Sequence, residues 1–131
     1  MKLESTKVSL EKSAQEVFNF LTNVENFEQL MPENISKFKL IDADTFVFAL
    51  SGMPEIVLKK KSMVSPHTII LGAAGGKLDF SLTAKIESPS EIQSDVQLTF
   101  EGDFNAMMAM MIKAPISKFI ETLALNIPKK I

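Results

Sequence analysis

Few side chains in this chain have the chemistry of a catalytic group, and those few stand at isolated positions. The 131 residues contain no cysteine and a single histidine, His67. Thiol catalysis, disulfides and thiolate metal sites are therefore excluded, and one histidine cannot build a multi-histidine metal centre. Because His67 follows Pro66 at a predicted turn, its position is typical of an exposed residue rather than of a general base. We expect no metal and no cofactor.

Two further polar candidates lie on predicted strands. Ser94 is the only polar side chain on the inward rows of the two clearest strands, so it either bonds locally or acts as a single polar anchor for a ligand. Lys60, the middle of three consecutive lysines, shares its parity with Ile56 and Leu58. A regular strand would turn Lys60 inward as a cavity-mouth cation, a base or a Schiff-base former, whereas a bulged strand would leave it on a solvated edge. We assign no catalytic residue.

A methionine cluster is the most unusual local feature, with four methionines in five positions: Met107, Met108, Met110 and Met111. Pro115 cannot donate a hydrogen bond to the carbonyl of Met111, so we predict that the last helix kinks or restarts there. Segment 105–114 would then lie over a cavity mouth as a lid. The alternatives are core packing, a homodimer interface or transient membrane contact through Met107–Met111, since methionine adapts to varied apolar partners.

Composition limits the possible partners and the domain count. A hydrophobic content of 46% in 131 residues predicts one globular domain spanning 1–131. The net charge is −2, and all 14 basic residues are lysine, so we expect no nucleic-acid partner.

The longest stretch without a charged side chain, 62–76, is too short to cross a bilayer, and the mixed-charge N-terminus lacks an apolar signal region. A cytoplasmic location is the default expectation.

Local patterns predict the elements that would position these side chains. Residues 2–11 alternate as a first strand, with Thr6, Val8 and Leu10 on one side. Ser13 and Glu16 fit a capping box that begins a helix, and Asn23 to Pro32 fit a second short helix.

From Ile35 to Phe104 the hydrophobic period is two, which predicts consecutive strands with a hairpin turn at Gly75-Gly76 and another at Pro89-Ser90. In the two clearest strands every acid faces outward, which is typical of an antiparallel sheet with one wet face. The inward apolar rows are Leu78, Phe80, Leu82, Ala84 and Ile86 on the first strand and Ile92, Val96, Leu98 and Phe100 on the second. The last segment has one helical stripe that would cover the sheet: Ile112, Ile116, Phe119, Ile120, Leu123 and Ile127.

The stretch from Ser13 to Leu21, followed by Leu30-Met31-Pro32, resembles the opening of the START and polyketide-cyclase-like (SRPBCC) superfamily. Ala14, Val17, Phe18 and Leu21 fill the "a-x-x-v-f/w-x-x-l" places of its first helix. The resemblance implies an α+β helix-grip fold. In that fold an antiparallel sheet of six or seven strands wraps around a long C-terminal helix, with two short helices after the first strand. It also implies a cavity between the sheet and that helix.

We therefore predict that the protein binds or transports a hydrophobic small molecule, such as a lipid, a quinone or a polyketide-like compound, without transforming it. A cyclase- or dehydratase-like enzyme on the same fold, with Lys60 as its ionisable group, and a homodimeric interaction module are the alternatives. The predicted ligand-binding residues are mostly apolar, since apolar area supplies binding and a few polar groups supply specificity. They are Phe48, Leu58, Phe80, Leu82, Ser94, Leu98, Phe100, Met107, Met108, Met111 and Ile116.

Overall fold

The computed structural model describes residues 1–53, 55–74 and 80–131. The predicted turn at Gly75-Gly76 and the inward position predicted for Leu78 lie outside these residues. The strands are β1 (Lys2–Glu4), β2 (Val8–Leu10), β3 (Ile35–Asp42), β4 (Thr45–Leu50), β5 (Ile56–Val64), β6 (Thr68–Ala73), β7 (Phe80–Ser90) and β8 (Gln93–Gly102). The helices are α1 (Ala14–Thr22), α2 (Phe27–Leu30) and α3 (Ala106–Lys130), and a 3₁₀ turn, Val24–Asn26, joins α1 to α2.

All the strands of the described chain form one antiparallel sheet in the order β1-β8-β7-β6-β5-β4-β3, and β2 also pairs with β8. Helix α3 packs against β1, β2, β8 and α2, while α1 lies on β6, β7 and β8. This arrangement confirms the predicted α+β helix-grip fold. The described sheet has eight strands rather than six or seven because the predicted first strand is divided in two.

That division is centred on Ser5. The Ser5 amide donates to the Leu98 carbonyl at 2.8 Å, and the Leu98 amide donates to the Ser5 hydroxyl at 3.0 Å. The irregularity changes which alternate residues face inward. Leu3 and Ser5 are buried before it, Val8 and Leu10 are buried after it, and Thr6 is exposed. The prediction that Thr6 shares a face with Val8 and Leu10 was therefore wrong.

The local signals at the first helix are confirmed. The Ser13 hydroxyl accepts from the Glu16 amide at 3.2 Å and donates to the Glu16 carboxylate at 3.3 Å. The predicted capping box differs in its second bond, because there the Glu16 carboxylate would accept from the Ser13 backbone amide. The four residues that carry the superfamily resemblance form the buried face of α1: Ala14, Val17, Phe18 and Leu21.

The turn between β7 and β8 differs from its prediction. Strand β7 continues to Ser90, which pairs with Gln93, so the turn is Glu91-Ile92. Pro89 falls within a register irregularity between Glu87 and Ser90, where a missing amide is tolerated. Ile92 was predicted to face inward, but in the turn it is 74% exposed.

Helix α3 runs from Ala106 to Lys130 with Pro115 inside it, so the predicted restart at Pro115 was wrong, whereas the alternative of a kink there stays a prediction. A proline removes one amide hydrogen bond, but this loss does not outweigh the packing of the turns that follow. Those turns bury the predicted apolar stripe from Ile116 to Ile127, while Ile112 is partly buried against it.

The hydrogen bond at the strand division gives a stability prediction. Ser5→Ala leaves the Leu98 amide without its hydroxyl partner in a buried position, so we expect a loss of about 1–3 kcal/mol. The exposed Ser9 bonds to Asp95 at the surface, and Ser9→Ala is expected to change stability by about 0.5 kcal/mol or less. Urea denaturation of both variants measures the difference, and equal stabilities would contradict this role of Ser5.

Candidate functional site

A connected set of phenylalanine rings lies within the mostly aliphatic interior between the sheet and α3. Phe48 on β4 stacks on Phe119 of α3 with ring centres 4.8 Å apart, and Phe46 lies 6.0 Å from Phe48. Phe27 and Phe38 stack on Phe46 at 5.5 and 5.3 Å. These rings thus form a continuous series of aromatic contacts from α2 across the sheet to α3.

Most of the predicted apolar ligand-binding residues occur together in this interior. Six of them belong to one buried cluster: Phe48, Leu58, Leu82, Leu98, Phe100 and Ile116. Phe80 is partly buried and packs against the same cluster. The alternation of the strands and the stripe of α3 therefore located one common apolar interior, although contact of these residues with a ligand stays a prediction.

A second aromatic row leads from the interior toward the N-terminal end of α3. Phe100 stacks on Phe80 at 5.5 Å and lies parallel to Phe104 at 6.1 Å. Beside Phe80 there is an open pocket of about 370 Å³, lined also by Lys2, Glu101 and Asp103. Neither Phe100 nor Phe104 lines this pocket, and no residue of α3 does. We call the row of Phe80, Phe100 and Phe104, together with the adjacent first turns of α3, the aromatic end of the grip. Phe104 is not among the predicted ligand-binding residues, although its place next to the helix cap Asn105 was a usable signal for its position.

The methionines divide between two faces of α3. Met108 is partly buried, and Ile112, one turn later, packs against the core. Met107, Met110 and Met111 are exposed on the outer face, away from the buried stripe. Of the predicted methionine contacts, Met108 is the one that is partly buried, and the contacts of Met107, Met108 and Met111 with a ligand all stay predictions.

Ser94 is fully buried and has a backbone partner. Its hydroxyl donates to the Lys12 carbonyl at 2.6 Å, which ties β8 to the segment before α1. The partner is distant in the chain but satisfies the hydroxyl without a ligand, and the role of Ser94 as a ligand anchor stays a prediction.

Lys60 is turned inward, so the solvated-edge alternative for this residue was wrong. The predicted bulge is present, but it falls on Lys61, between the paired residues Lys60 and Ser62. The Lys60 ammonium group donates to the Thr22 carbonyl at 2.9 Å and lies 3.3 Å from the Asp44 carboxylate. Only 18% of its side chain is exposed. A cation at the C-terminal end of α1 is also favoured by the helix dipole, so Lys60 joins α1 to the sheet.

The other polar candidates and charged groups lie at the surface. His67 is exposed, as predicted, with its Nδ1 atom 3.4 Å from the Ile86 carbonyl. The hydrogen bond and charge of Glu87 raise the pKa of Lys7, and a bond from the Asp44 amide lowers the pKa of Asp42.

In the described ranges, no group of three or more histidine or acidic side chains could hold a metal ion. No helix in this part of the chain is long and apolar enough to span a membrane.

Comparisons with known proteins identify the fold. No protein-family model matches the sequence, and no curated protein is similar enough to count as a match. Among solved structures, norcoclaurine synthase from Thalictrum flavum in complex with dopamine and hydroxybenzaldehyde superposes with a TM-score of 0.74 at 10% identity, over 98% of this chain and 84% of that one. A START superfamily protein from Mycobacterium smegmatis gives a TM-score of 0.68 at 10% identity, over 98% and 97%. The di-domain ARO/CYC BexL gives 0.65 at 12% identity, over 97% of this chain and 46% of that one.

These similarities and the geometry define a class of protein. The chain has the helix-grip fold that START, norcoclaurine synthase and polyketide-cyclase-type proteins share, as the residues of α1 implied. At 9–12% identity the likeness concerns the fold, and fold alone does not select a ligand or a substrate.

The contacts of Lys60 predict a stability effect that its neighbour lacks. Lys60→Met leaves the Thr22 carbonyl and the end of α1 without their cation, so we expect a loss of about 1–2 kcal/mol. Lys59 is exposed, and Lys59→Met is the matched control, with an expected change of about 0.5 kcal/mol or less. Urea denaturation compares the two, and a Lys60→Met variant as stable as the control would contradict the structural role.

Proposed function

We propose that this protein binds a hydrophobic small molecule, of a lipid, quinone or polyketide-like class, between the sheet and α3 and releases it unchanged. The observation that carries the proposal is the chemistry of the interior. Every buried polar residue in the described part of the chain is a serine or threonine: Ser5, Thr45, Ser94 and Thr99. These buried residues include no acid or base, so the interior suits the binding of an apolar molecule better than acid–base chemistry.

The proposed driving force is removal of the ligand's apolar surface from water. The ligand would enter at the aromatic end of the grip, where Phe80 and Phe104 are only partly buried, and continue along Phe100 toward Phe48. Met108 would form the inner wall of the opening because its unbranched side chain can adopt many shapes. The proposed lining comprises the predicted ligand-binding residues, with Phe104 added.

Lys60 supports binding over the enzyme alternative. A cyclase or dehydratase needs a positioned acid or base within reach of its substrate. The Lys60 ammonium group is already held by the Thr22 carbonyl and the Asp44 carboxylate. Its contacts therefore account for its inward position without a substrate.

Native mass spectrometry of the protein purified from its expression host tests the proposal directly. We expect a mass excess that disappears on denaturation, with an apolar molecule in the denatured extract. The molecule would identify the ligand class. A protein that carries no extra mass and also fails to quench or enhance a fluorescent fatty-acid probe would contradict the carrier function.

A charge at the proposed opening should weaken binding. Met108→Glu places a carboxylate beside the proposed ligand entry at the aromatic end of the grip. Because burying an unpaired charge is costly, we expect the affinity for a fluorescent fatty-acid probe to fall about tenfold or more. Leu125→Glu is the matched control, because Leu125 is exposed near the other end of α3. Fluorescence titration measures both affinities, and equal affinities would place the opening elsewhere.

A homodimeric interaction module is the second candidate function, and the exposure of Met107, Met110 and Met111 favours it. The same surface would also suit transient contact with a lipid bilayer. If copies associate through it, Met110→Glu should convert a dimer into a monomer in light scattering, while Leu125→Glu should not. A wild-type protein that is monomeric at all concentrations would rule out the dimer.

A further inference from the structure

The exposed methionines of α3 share a geometry that apolar contact does not require. Met107, Met110 and Met111 are 75%, 82% and 66% exposed, and they occupy positions i, i+3 and i+4 of one continuous helix. Residues at these spacings are neighbours on a helix surface, with Cβ atoms about 5–6 Å apart. Each methionine side chain is long and unbranched. The three sulfur atoms can therefore turn toward one point above the helix.

The backbone that carries these side chains is held in place by its cap. The Asn105 side chain accepts a hydrogen bond from the Met108 amide at 2.8 Å, and the Asn105 carbonyl accepts from the Ala109 amide at 2.9 Å. The first turn of α3 is thus formed before any partner binds. Only side-chain rotation is needed to gather the three sulfur atoms.

Sulfur chemistry decides which ion such a group would take. A thioether is a neutral, soft ligand that selects Cu(I), whereas Mg²⁺ and Ca²⁺ require oxygen ligands. The first turn of α3 contains no acidic residue that would attract a hard cation, and the next side chain on the same face is Ala114. The chain has no cysteine to compete for a soft ion. We propose that Met107, Met110 and Met111 form a three-thioether binding site for Cu(I).

This site is independent of the carrier function, because the three side chains lie on the outer face of α3 while the proposed ligand path runs along its inner face. It is also separable from a protein or lipid contact. Leucine keeps the apolar area and the helix propensity of methionine but lacks the sulfur atom. Methionine-to-leucine variants therefore remove copper binding and leave apolar contacts in place.

The test is an anaerobic titration of the full chain with Cu(I) in competition with a chromophoric Cu(I) chelator. We expect one Cu(I) per chain for the wild type. Met110→Leu should lower the affinity at least about tenfold, since even an outer-shell change at a metal site costs about 10–100-fold. Met63→Leu is the matched control, because Met63 is 47% exposed but stands alone on β5.

The methyl resonances of the methionines give a second readout in the same samples. Cu(I) should shift the ¹³C-methyl signals of Met107, Met110 and Met111 and leave that of Met63 in place. A wild-type chain that takes no Cu(I) from the chelator would overturn the proposal. Equal loss of affinity in Met110→Leu and Met63→Leu, or a shift of the Met63 signal alone, would do the same.

Discussion

The structure depends on covering the apolar face of one curled antiparallel sheet. That face would be exposed to water without α3, and removing it from water is the main favourable term for a domain of this size. The contact between Phe48 and Phe119, with stacked rings 4.8 Å apart, connects the sheet to the helix at its centre. Around it the residues Ile120, Leu123 and Ile127 are fully buried.

Because the sheet covers only part of α3, the two ends of this helix differ in how deeply they are buried. From Ile116 onward its inner stripe is buried, whereas the first turns, Ala106 to Ala114, have no buried residue. The part from Ile116 onward holds the fold together, and the turns from Ala106 to Ala114 are accessible to other molecules. Both the proposed opening and the proposed copper site lie on that free part, on opposite faces of the same turns.

The polar groups of the interior have structural partners. The hydroxyl of Ser94 bonds to the Lys12 carbonyl, Ser5 joins the two N-terminal strands to β8, and Lys60 holds the end of α1. No buried side-chain nitrogen or oxygen atom in the described residues lacks a hydrogen-bond partner. Since an unpaired polar group is costly in an apolar interior, these bonds keep the inner surface apolar without penalty. An interior with its polar atoms already paired is suited to holding an apolar molecule.

The sequence by itself determined the features that depend on near neighbours in the chain. Alternation along β7 and β8, the stripe of α3, the Ser13 cap and the apolar face of α1 follow from spacings of two to four residues. The helix-grip fold itself was predicted from the resemblance of the first-helix stretch to the START and polyketide-cyclase-like superfamily. Tertiary structure alone decided the features that join distant residues. Ser5 meets Leu98, Lys60 meets Thr22, and α3 stays helical through Pro115 because of packing beyond it. The outer position of Met107, Met110 and Met111 follows from helical spacing once α3 is continuous through Pro115. A local pattern records which face of an element is apolar, but only the packed fold determines which atoms meet that face and which remain in water.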